Sequence, residues 1–372
     1  MSTNEGVEIQ QPGINVGQAQ PNRRSAQPLT RQLIPHQTTA HPARIAPMAG
    51  SGASDEEVVL EIEHCIRIFK SGRVERYFGS DPVPPCTDAG TGVASKDHTI
   101  SPEVAVRLYL PPVAATDGKK LPILVYFHGG GFVLHTAFNF VFHGYLTSLA
   151  ARAGAIVVSV DYRIAPEHPL PAAYDDSWQA LSWVASHAPG GGAGEEPWLT
   201  DHGDFSRLSL GGESAGANIA HHLAMRAGAE EGVLPHGARI SGGILLVHPY
   251  FLGHGKVPSE DSDPGMAENV VKMWRAVRPG TSGVDDPWIN PLAAGAPPME
   301  ALACGRVLMC LAETDVCRDR GRAYCDGLRA SGWAGEVEVL EVAGQGHCFH
   351  LGNFGCDDAV RQDEVISRFL NL

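Results

Sequence analysis

A serine between two glycines is the first candidate for chemistry in this chain. Ser214 lies in Gly212-Glu-Ser-Ala-Gly216, between a run at 207–210 that predicts a strand and a run at 217–226 that predicts a helix. A serine on a tight strand-to-helix turn exposes its hydroxyl above a sheet, and the turn requires very small residues two positions before and after it. Gly212 and Gly216 meet this requirement, so Ser214 is a candidate nucleophile.

A second glycine-rich motif distinguishes this turn from an ordinary glycine-rich loop. With 43 glycines in 372 residues, roughly 0.3 matches of the Gly-x-Ser-x-Gly type arise by chance. Upstream, the apolar run 123–127 ends in His128-Gly129-Gly130-Gly131-Phe132. The uncovered N–H groups of consecutive glycines, with that of the residue after the nucleophile, can donate to an oxyanion as it develops. We therefore predict Gly130, Gly131 and Ala215 as oxyanion donors, with His128 and Gly129 supporting the motif.

A serine hydroxyl needs a base, and the base needs a carboxylate that orients it. In chains with this type of turn the order is serine, then Asp or Glu, then His. Asp315 follows a strand pattern at 306–311, and His347 follows a strand pattern at 337–342. Both residues then leave the carboxyl ends of strands, where open α/β sheets build their sites. We predict Ser214, Asp315 and His347 as a catalytic triad.

Asp319 and His350 are the alternatives for these two roles. Asp319 lies in the charged start of a predicted helix that reaches about residue 330, whereas the orienting carboxylate in this class comes from a loop. His350 lies in a more apolar run, while His347 follows a Gly-Gln-Gly loop. The positions therefore favour Asp315 and His347.

Taken together, the motifs resemble the hormone-sensitive-lipase-like branch of the α/β-hydrolases (α/β hydrolase fold-3), and more narrowly the plant carboxylesterases. The resemblance covers roughly residues 55–372 and rests on Gly212–His221 and four further motifs: His128–Phe132, Asp161–Glu167, Asn290–Leu292 and Gly346–His350. It implies an α/β fold with a mostly parallel central sheet, helices on both faces, and a cap. It also implies a serine esterase activity on small, largely neutral carboxylic esters, with the same triad.

The resemblance assigns supporting roles to residues around the two glycine motifs. Tyr162, Arg163 and Glu167 would brace the loop that bears the oxyanion glycines. Glu213 stands where plant members usually have Asp. Because we expect its side chain only to flank the turn, we expect no loss of activity from this departure.

The resemblance implies that two segments form the cap over the serine. The first, about 55–80, contains a helix pattern at 56–62 and a hairpin of 66–69 with 74–78. The second, 252–287, interrupts the strand order and contains a helix pattern at 267–277. A long insertion beside a catalytic edge is more often a lid or binding element than a plain surface loop. The predicted substrate-pocket residues outside the cap are Phe132, His135 and Phe138.

Length and patterning predict one domain from residue 51 to residue 372. A chain of 372 residues with 43% hydrophobic residues can bury one large core. Apolar runs separated by helical stretches predict a mostly parallel sheet. The runs lie near 105–110, 123–128, 155–160, 207–211, 242–247, 306–311 and 337–342.

Charge and cysteine usage limit the partners. The 28 Lys and Arg residues against 42 Asp and Glu residues give a formal net charge of −14, and no local basic patch offers a nucleic-acid site, so a small neutral ester is the expected partner. The 8 cysteines have no Cys-x-x-Cys spacing, so we interpret them as reduced thiols and predict neither a metal nor a cofactor. No apolar run approaches the length of a membrane span. The pattern does not specify an oligomeric state.

The first 50 residues differ in composition from the rest. They are rich in Gln, Pro, Asn and Thr, and they lack apolar periodicity, which predicts a disordered extension. Arginines outnumber acids there, as in organelle transit peptides, but serine is scarce. We expect a cytoplasmic protein, with a plastid location as the alternative.

Two other kinds of function share the scaffold that these motifs resemble. Gibberellin receptors resemble the family but lack the catalytic histidine and hold a hormone in the pocket. The presence of His347 and of Gly129, Gly130 and Gly131 argues against a receptor. Isoflavanone dehydratases and transesterifying tuliposide-converting enzymes are the second kind. Because dehydratases of this type can carry Thr in place of the serine, Ser214 favours hydrolysis.

Overall fold

The computed structural model describes residues 57–372 apart from 64, 78, 80, 113–117, 191–195 and 230–232. The predicted disorder of residues 1–50 lies outside these residues. The described residues from 57 to 372 belong to one compact unit. Within the described part of this unit, no helix has the length and apolar character needed to cross a membrane.

A small antiparallel sheet precedes the main fold. Strand β1 (Val58–Ile62) pairs with β2 (Ile66–Phe69), and β2 pairs with β3 (Val74–Arg76). The predicted hairpin of β2 with β3 is confirmed. The predicted helix at 56–62 is wrong over its described residues, because consecutive valines favour an extended backbone and the partner β2 supplies the hydrogen bonds.

An eight-stranded sheet forms the centre of the fold. In chain order its strands are β4 (Ala94–Thr99), β5 (Ala105–Leu110), β6 (Leu121–Phe127), β7 (Ile156–Asp161), β8 (Gly203–Glu213), β9 (Gly243–Val247), β10 (Arg306–Ala312) and β11 (Glu336–Val342). Their spatial order is β11-β10-β9-β8-β6-β7-β5-β4. All neighbours from β11 to β7 are parallel, and β5 and β4 continue the sheet by antiparallel pairing. The predicted mostly parallel sheet is confirmed, and every predicted apolar run lies on one of its strands.

The sequence pattern does not indicate β4. Its segment, Ala-Ser-Lys-Asp-His-Thr, has no apolar alternation. The strand forms at the edge of the sheet through backbone pairing with β5. An edge strand with polar side chains suits that position because it does not invite pairing with another chain.

Helices cover both faces of the large sheet. They are α1 (Phe140–Ala153), α2 (Ala172–Ala185), α3 (Pro197–His202), α4 (Ala215–Gly228), α5 (Pro258–Ser262), α6 (Pro264–Val277), α7 (Arg318–Ala330), α8 (Phe349–Gly352) and α9 (Asp357–Leu370). Successive strand residues point to opposite faces, so β6 contributes to two cores. Its Val125 packs in the core with α2, α4 and α7, and its Tyr126 packs in the core with α1 and α9.

The second predicted cap segment contains α5 and α6. The predicted helix at 267–277 is confirmed and begins slightly earlier, at Pro264. Asp263 caps α6 by accepting a hydrogen bond of 3.0 Å from the backbone N–H of Met266, and proline is well suited to the first helical position. The strand β1 and the helix α6 both contribute to the cavity described below.

Candidate active site

The turn between β8 and α4 carries Ser214. Its backbone has φ 53° and ψ −117°, a conformation that few residues other than glycine adopt. A Cβ atom on either Gly212 or Gly216 would overlap the backbone oxygen of Phe127. The Ser214 N–H donates to Val247 O at 2.9 Å, which ties the turn to the end of β9. The two glycines are therefore required for the close approach of this turn to its neighbours.

Ser214, His347 and Asp315 form one hydrogen-bonded series. Ser214 Oγ lies 3.0 Å from His347 Nε2, and His347 Nδ1 lies 2.8 Å from Asp315 Oδ2. Asp315 follows β10 and is 2% exposed; its other oxygen accepts the N–H of Cys317 at 2.9 Å. The ends of three strands therefore bring together three side chains that are far apart in sequence.

The Asp315 carboxylate and the His347 imidazole change each other's pKa. Burial acts to raise the pKa of Asp315, but the His347 imidazole, with smaller contributions from His248 and the Cys317 N–H, outweighs burial and lowers that pKa below its ordinary value. Burial acts to lower the pKa of His347, but Asp315 and Cys348 outweigh it and raise that pKa well above 6.5. The pairing therefore favours the ionised carboxylate together with the protonated imidazole.

The structure gives Asp319 and His350 other surroundings. The Asp319 carboxylate contacts Arg318 at 2.8 Å and Arg322 at 3.2 Å, and it accepts the N–H of Ser259 at 2.9 Å. His350 is fully buried, and its ring meets the edge of Tyr145 at 4.9 Å. Neither side chain joins the series that contains Ser214.

The glycine motif after β6 lies beside the serine. Gly130 and Gly131 have φ values of 102° and 61°, which glycine adopts readily. Gly130 O accepts the N–H groups of Val133 and Leu134, each at 3.0 Å. Among the described residues, none accepts a hydrogen bond from the N–H of Gly130, Gly131 or Ala215. Ala215 is the first residue of α4, where a helix leaves its N–H groups without helical partners.

His128 anchors the base of the glycine motif. Its ring stacks on Tyr162 with centroids 4.3 Å apart, and the Tyr162 hydroxyl donates to His128 O at 2.5 Å. Burial lowers the pKa of His128 to about 4, so the ring is neutral at pH 7. Its Nδ1 donates to Gly129 O at 2.8 Å. These contacts indicate that His128 positions the glycine loop.

The segment after β7 contacts the same loop through two of its three motif side chains. Tyr162 contacts His128 directly, as described above. Arg163 pairs with Asp176 of α2 at 2.6 Å. Glu167 pairs with Arg76, whose Nε donates to Val133 O at 2.6 Å. The resemblance implied that Tyr162, Arg163 and Glu167 brace this loop, and the contacts of Tyr162 and Glu167 reach it.

Glu213 has a larger role than the sequence indicates. Instead of flanking the turn, its side chain is fully buried and accepts hydrogen bonds from the Gly129 N–H and from the Tyr126 hydroxyl. Burial raises the pKa of Glu213 to about 8, although both hydrogen bonds act to lower it. The only signal in the sequence is its place beside Ser214, because its partners lie far upstream.

His248 is a second residue that no sequence motif indicates. It follows β9, is fully buried, and accepts the N–H of Cys348 at 2.9 Å on its Nδ1. This contact fixes the backbone next to His347. The position of His248 at the carboxyl end of a strand is the signal that could have identified it.

A cavity of about 600 Å³ opens on Ser214 and His347. The first cap segment contributes Ile62, Glu63 and Cys65 to its lining. The helix α6 contributes residues spaced so that they share one face, namely Met266, Asn269, Val270 and Met273. Both predicted cap segments therefore border the cavity.

Two of the three predicted pocket side chains do not line this cavity. His135 lines it, as predicted. Phe132 is instead buried in the core against Tyr174 and Tyr250, at centroid distances of 5.8 and 6.4 Å. Phe138 lies beneath the guanidinium of Arg107 at 5.1 Å. The prediction is wrong at these positions because sequence proximity to the glycines does not fix the direction of a side chain.

One group of side chains has the composition of a metal site. Ligand atoms of Asp315, Cys317 and His347 all lie within 4.8 Å of one another. Two of the three residues belong to the hydrogen-bonded series with Ser214, so that series explains their placement without an ion. Within the part of the chain that the structure describes, this is the one such group found.

Comparisons with known proteins identify the family of this chain. A family model described as alpha/beta hydrolase fold matches residues 124–351. The chain is 47% identical over 320 residues to tuliposide A-converting enzyme 1, chloroplastic, of Tulipa gesneriana, covering 86% of this chain and 79% of that protein. It is 45% identical over 307 residues to 2-hydroxyisoflavanone dehydratase of Glycyrrhiza echinata, covering 81% and 92%.

Two further comparisons involve proteins named as esterases. The chain is 43% identical over 321 residues to probable carboxylesterase 7 of Arabidopsis thaliana, covering 85% of this chain and 99% of that protein. A hyperthermophilic esterase from the archaeon Pyrobaculum calidifontis has a similar structure, with a TM-score of 0.60, 28% identity, and coverage of 74% and 84%. The eight-stranded sheet, the order of the motifs and these similarities lead to one conclusion: the chain belongs to the alpha/beta hydrolase fold family, in its hormone-sensitive-lipase-like branch.

Proposed function

We propose that this protein is a serine carboxylesterase that hydrolyses small, largely neutral carboxylic esters. The observation that carries the proposal is the hydrogen-bonded series from Asp315 through His347 to Ser214, with distances of 2.8 and 3.0 Å. Esterases among the similar proteins support it. A nucleophile, a base and an orienting carboxylate in hydrogen-bond reach are what acyl transfer through serine requires.

In the first half of the reaction the serine is acylated. His347 Nε2 accepts the Ser214 proton while Oγ attacks the ester carbonyl, and Asp315 stabilises the imidazolium that forms. The carbonyl oxygen becomes an oxyanion, which the N–H groups of Gly130, Gly131 and Ala215 stabilise. The tetrahedral intermediate then collapses, the imidazolium gives its proton to the leaving alcohol, and an acyl-enzyme remains.

In the second half water takes the place of the alcohol. His347 accepts a proton from the water as its oxygen attacks the acyl carbon, and the same N–H groups stabilise the second oxyanion. Collapse of this intermediate returns the proton to Ser214 Oγ and releases the carboxylic acid.

The lining of the cavity supports neutral substrates. Among the described residues that line it, none is Lys or Arg, while Glu63, Glu213, Asp263 and Asp315 carry carboxyl groups. An anionic substrate would meet no cationic side chain there and would be repelled by ionised carboxylates. A volume of about 600 Å³ falls in the range of small-molecule sites.

Transfer of the acyl group to an alcohol is the alternative that one observation favours. The 47% identical tulip protein is named for converting tuliposide A, and an acyl-enzyme can be attacked by a hydroxyl group as well as by water. A hormone-binding function of the gibberellin-receptor type would not need the His347 imidazole beside Ser214.

A dehydratase function would not need the acyl-enzyme. Analysis of the products separates these alternatives, because only hydrolysis releases one acid for each alcohol.

Hydrolysis of a short-chain p-nitrophenyl ester by the wild type and by Ser214→Ala tests the proposal. We expect the wild type to turn over and the variant to lose several orders of magnitude in kcat, since the nucleophile is removed. The variant should keep its fold, because the serine hydroxyl is replaced by hydrogen. A folded wild type without turnover, or equal rates in both proteins, would contradict the proposal.

We retain the cytoplasm as the expected location, with the plastid as the alternative. The tulip relative is named as chloroplastic, which supports the alternative. A fluorescent protein fused after residue 372 would separate the two, by its distribution in plant cells with and without residues 1–50.

A further inference from the structure

Three cysteines line the cavity that contains Ser214. They are Cys65, Cys317 and Cys348, and each is a free thiol. The proposed ester hydrolysis uses none of them. Of the three, Cys317 is the one whose sulfur lies close to ligand atoms of both His347 and Asp315.

The geometry of this group fits a single ion. Ligand atoms of Asp315, Cys317 and His347 lie within 4.8 Å of one another. Three atoms no farther apart than this share a point within about 2.8 Å of each, compared with bonds of about 2.0–2.3 Å from Zn²⁺ to nitrogen, oxygen and sulfur. Small side-chain movements would therefore bring all three into bonding distance.

The chemistry of the three ligands selects the kind of ion. A thiolate, an imidazole and a carboxylate together suit Zn²⁺ and Cd²⁺ better than Mg²⁺ or Ca²⁺, which prefer oxygen ligands. The cavity gives access and a favourable field, since its described lining contains carboxyl groups and no Lys or Arg. The formal net charge of −14 acts in the same direction.

We propose that Asp315, Cys317 and His347 form an inhibitory site for a thiophilic divalent cation such as Zn²⁺ or Cd²⁺. Binding forms bonds from the metal to the Asp315 carboxylate, the Cys317 thiolate and His347 Nδ1, the ring nitrogen beside that carboxylate. The thiol proton is released to solvent, and the imidazole, which gives up its proton on Nδ1, carries its one remaining proton on Nε2. The imidazole can then neither keep its hydrogen bond to Asp315 nor accept the Ser214 proton. No bond of the protein is broken, so a chelator restores the starting state.

Direct binding is measured on a protein that cannot turn over. Cd²⁺ added to Ser214→Ala should produce the ultraviolet absorption of a cadmium–thiolate bond at one equivalent. The band should be lost when the Ser214→Ala protein also carries Cys317→Ser. It should be lost with Cys317→Ala as well, and this second variant shows that the loss does not come from a defect specific to serine. It should persist when the control Cys356→Ser is added, because Cys356 does not line the cavity. A band that survives both Cys317 substitutions would overturn the site.

Inhibition is measured on the active protein, and this part rests on the proposed esterase function. Zn²⁺ should inhibit ester hydrolysis by the wild type, and a chelator should restore it. With each rate referred to the same variant without metal, Cys317→Ser should raise the inhibitory concentration about tenfold or more, whereas Cys356→Ser should not change it. Equal inhibition of wild type and Cys317→Ser would overturn the proposal. A wild type without esterase activity would contradict the proposed function, while the cadmium–thiolate band would still decide the metal site.

Discussion

The carboxylate of Glu213 accepts a hydrogen bond from the backbone N–H of Gly129. This contact joins the turn that carries Ser214 to the loop that carries the oxyanion glycines, across 84 positions of sequence. The Tyr126 hydroxyl donates to the other oxygen of the same carboxylate. The relative position of nucleophile and oxyanion donors therefore depends on a residue that takes no part in bond making.

Replacing Glu213 should affect the transition state more than substrate binding. In Glu213→Leu the Gly129 N–H loses its acceptor and the glycine loop shifts, so kcat should fall about 10²-fold with little change in KM. Glu213→Gln keeps an amide oxygen for that N–H and should retain most of the activity. Steady-state kinetics of both variants provide the measurement. A Leu variant with the wild-type kcat would contradict this role.

The two candidate carboxylates are separated by matched substitutions. Asp315→Asn should lower kcat by about 10⁴ with the fold intact, because the amide favours the wrong tautomer of His347 and cannot stabilise the imidazolium. Asp319→Asn serves as the control, since its carboxylate contacts Arg318 and Arg322 instead, and it should have a small effect. The assignment is reversed if the Asp319 variant proves the slower of the two.

The activity should rise with pH above neutrality. Burial opposes protonation of the His347 imidazole, but Asp315 and Cys348 outweigh it and raise its pKa well above 6.5. Because the base must be unprotonated, kcat/KM should be low at about pH 6 and increase as pH passes the raised pKa. In Asp315→Asn the remaining kcat/KM should begin to rise at a lower pH, because the imidazole loses the carboxylate that raises its pKa.

A control is needed because Glu213, with a pKa of about 8, titrates in the same range. The alkaline rise should persist in Glu213→Gln if it belongs to His347. If the pH at which kcat/KM rises were the same in Asp315→Asn as in the wild type, this would contradict the pairing of His347 with Asp315.

Stability should depend on pH through Asp363 in α9. Its side chain is fully buried, and burial raises its pKa from 3.8 to about 7 although Arg152 lies 3.6 Å away. The folded state therefore binds more protons than the unfolded state between these values, so the free energy of unfolding falls as pH rises through this window. The full difference corresponds to about 4 kcal/mol.

Urea unfolding of wild type and Asp363→Asn checks this dependence. Because the amide does not ionise, the variant should be more stable than wild type at about pH 8 and close to it at about pH 4, with the loss in wild type on the order of a few kcal/mol. The same decline with pH in both proteins would show that another group is responsible.

The predicted parts of the fold and site are those that depend on local patterns. Apolar runs such as 306–311 locate buried strands because a strand covered on both faces needs continuous apolar side chains. Asp315 and His347 are identified because each lies in the loop that follows such a run, and Ser214 because it lies in a turn with strict size limits. In a parallel sheet these strand ends meet at one edge, so local patterns suffice to bring them together.

The parts that differ depend on contacts between distant segments. The strand β1 forms because β2 offers it a partner, which a helix pattern at 56–62 does not reveal. Glu213 lies 84 positions from Gly129 in the sequence, so their contact depends on the folded chain. The buried ring of Phe132 packs against Tyr174 and Tyr250. Side-chain direction is set by packing in three dimensions, so spacing in sequence could not supply it.

The central claim, that Ser214 attacks the carbonyl of an ester with His347 as its base, is tested most directly by covalent labelling. Incubation with a p-nitrophenyl phosphonate ester, followed by mass spectrometry of the intact protein and its peptides, locates the attacking atom. We predict a single adduct on Ser214, no adduct in Ser214→Ala, and much slower labelling in His347→Ala. No labelling of folded wild type, or an adduct on another residue that persists in Ser214→Ala, would contradict the claim.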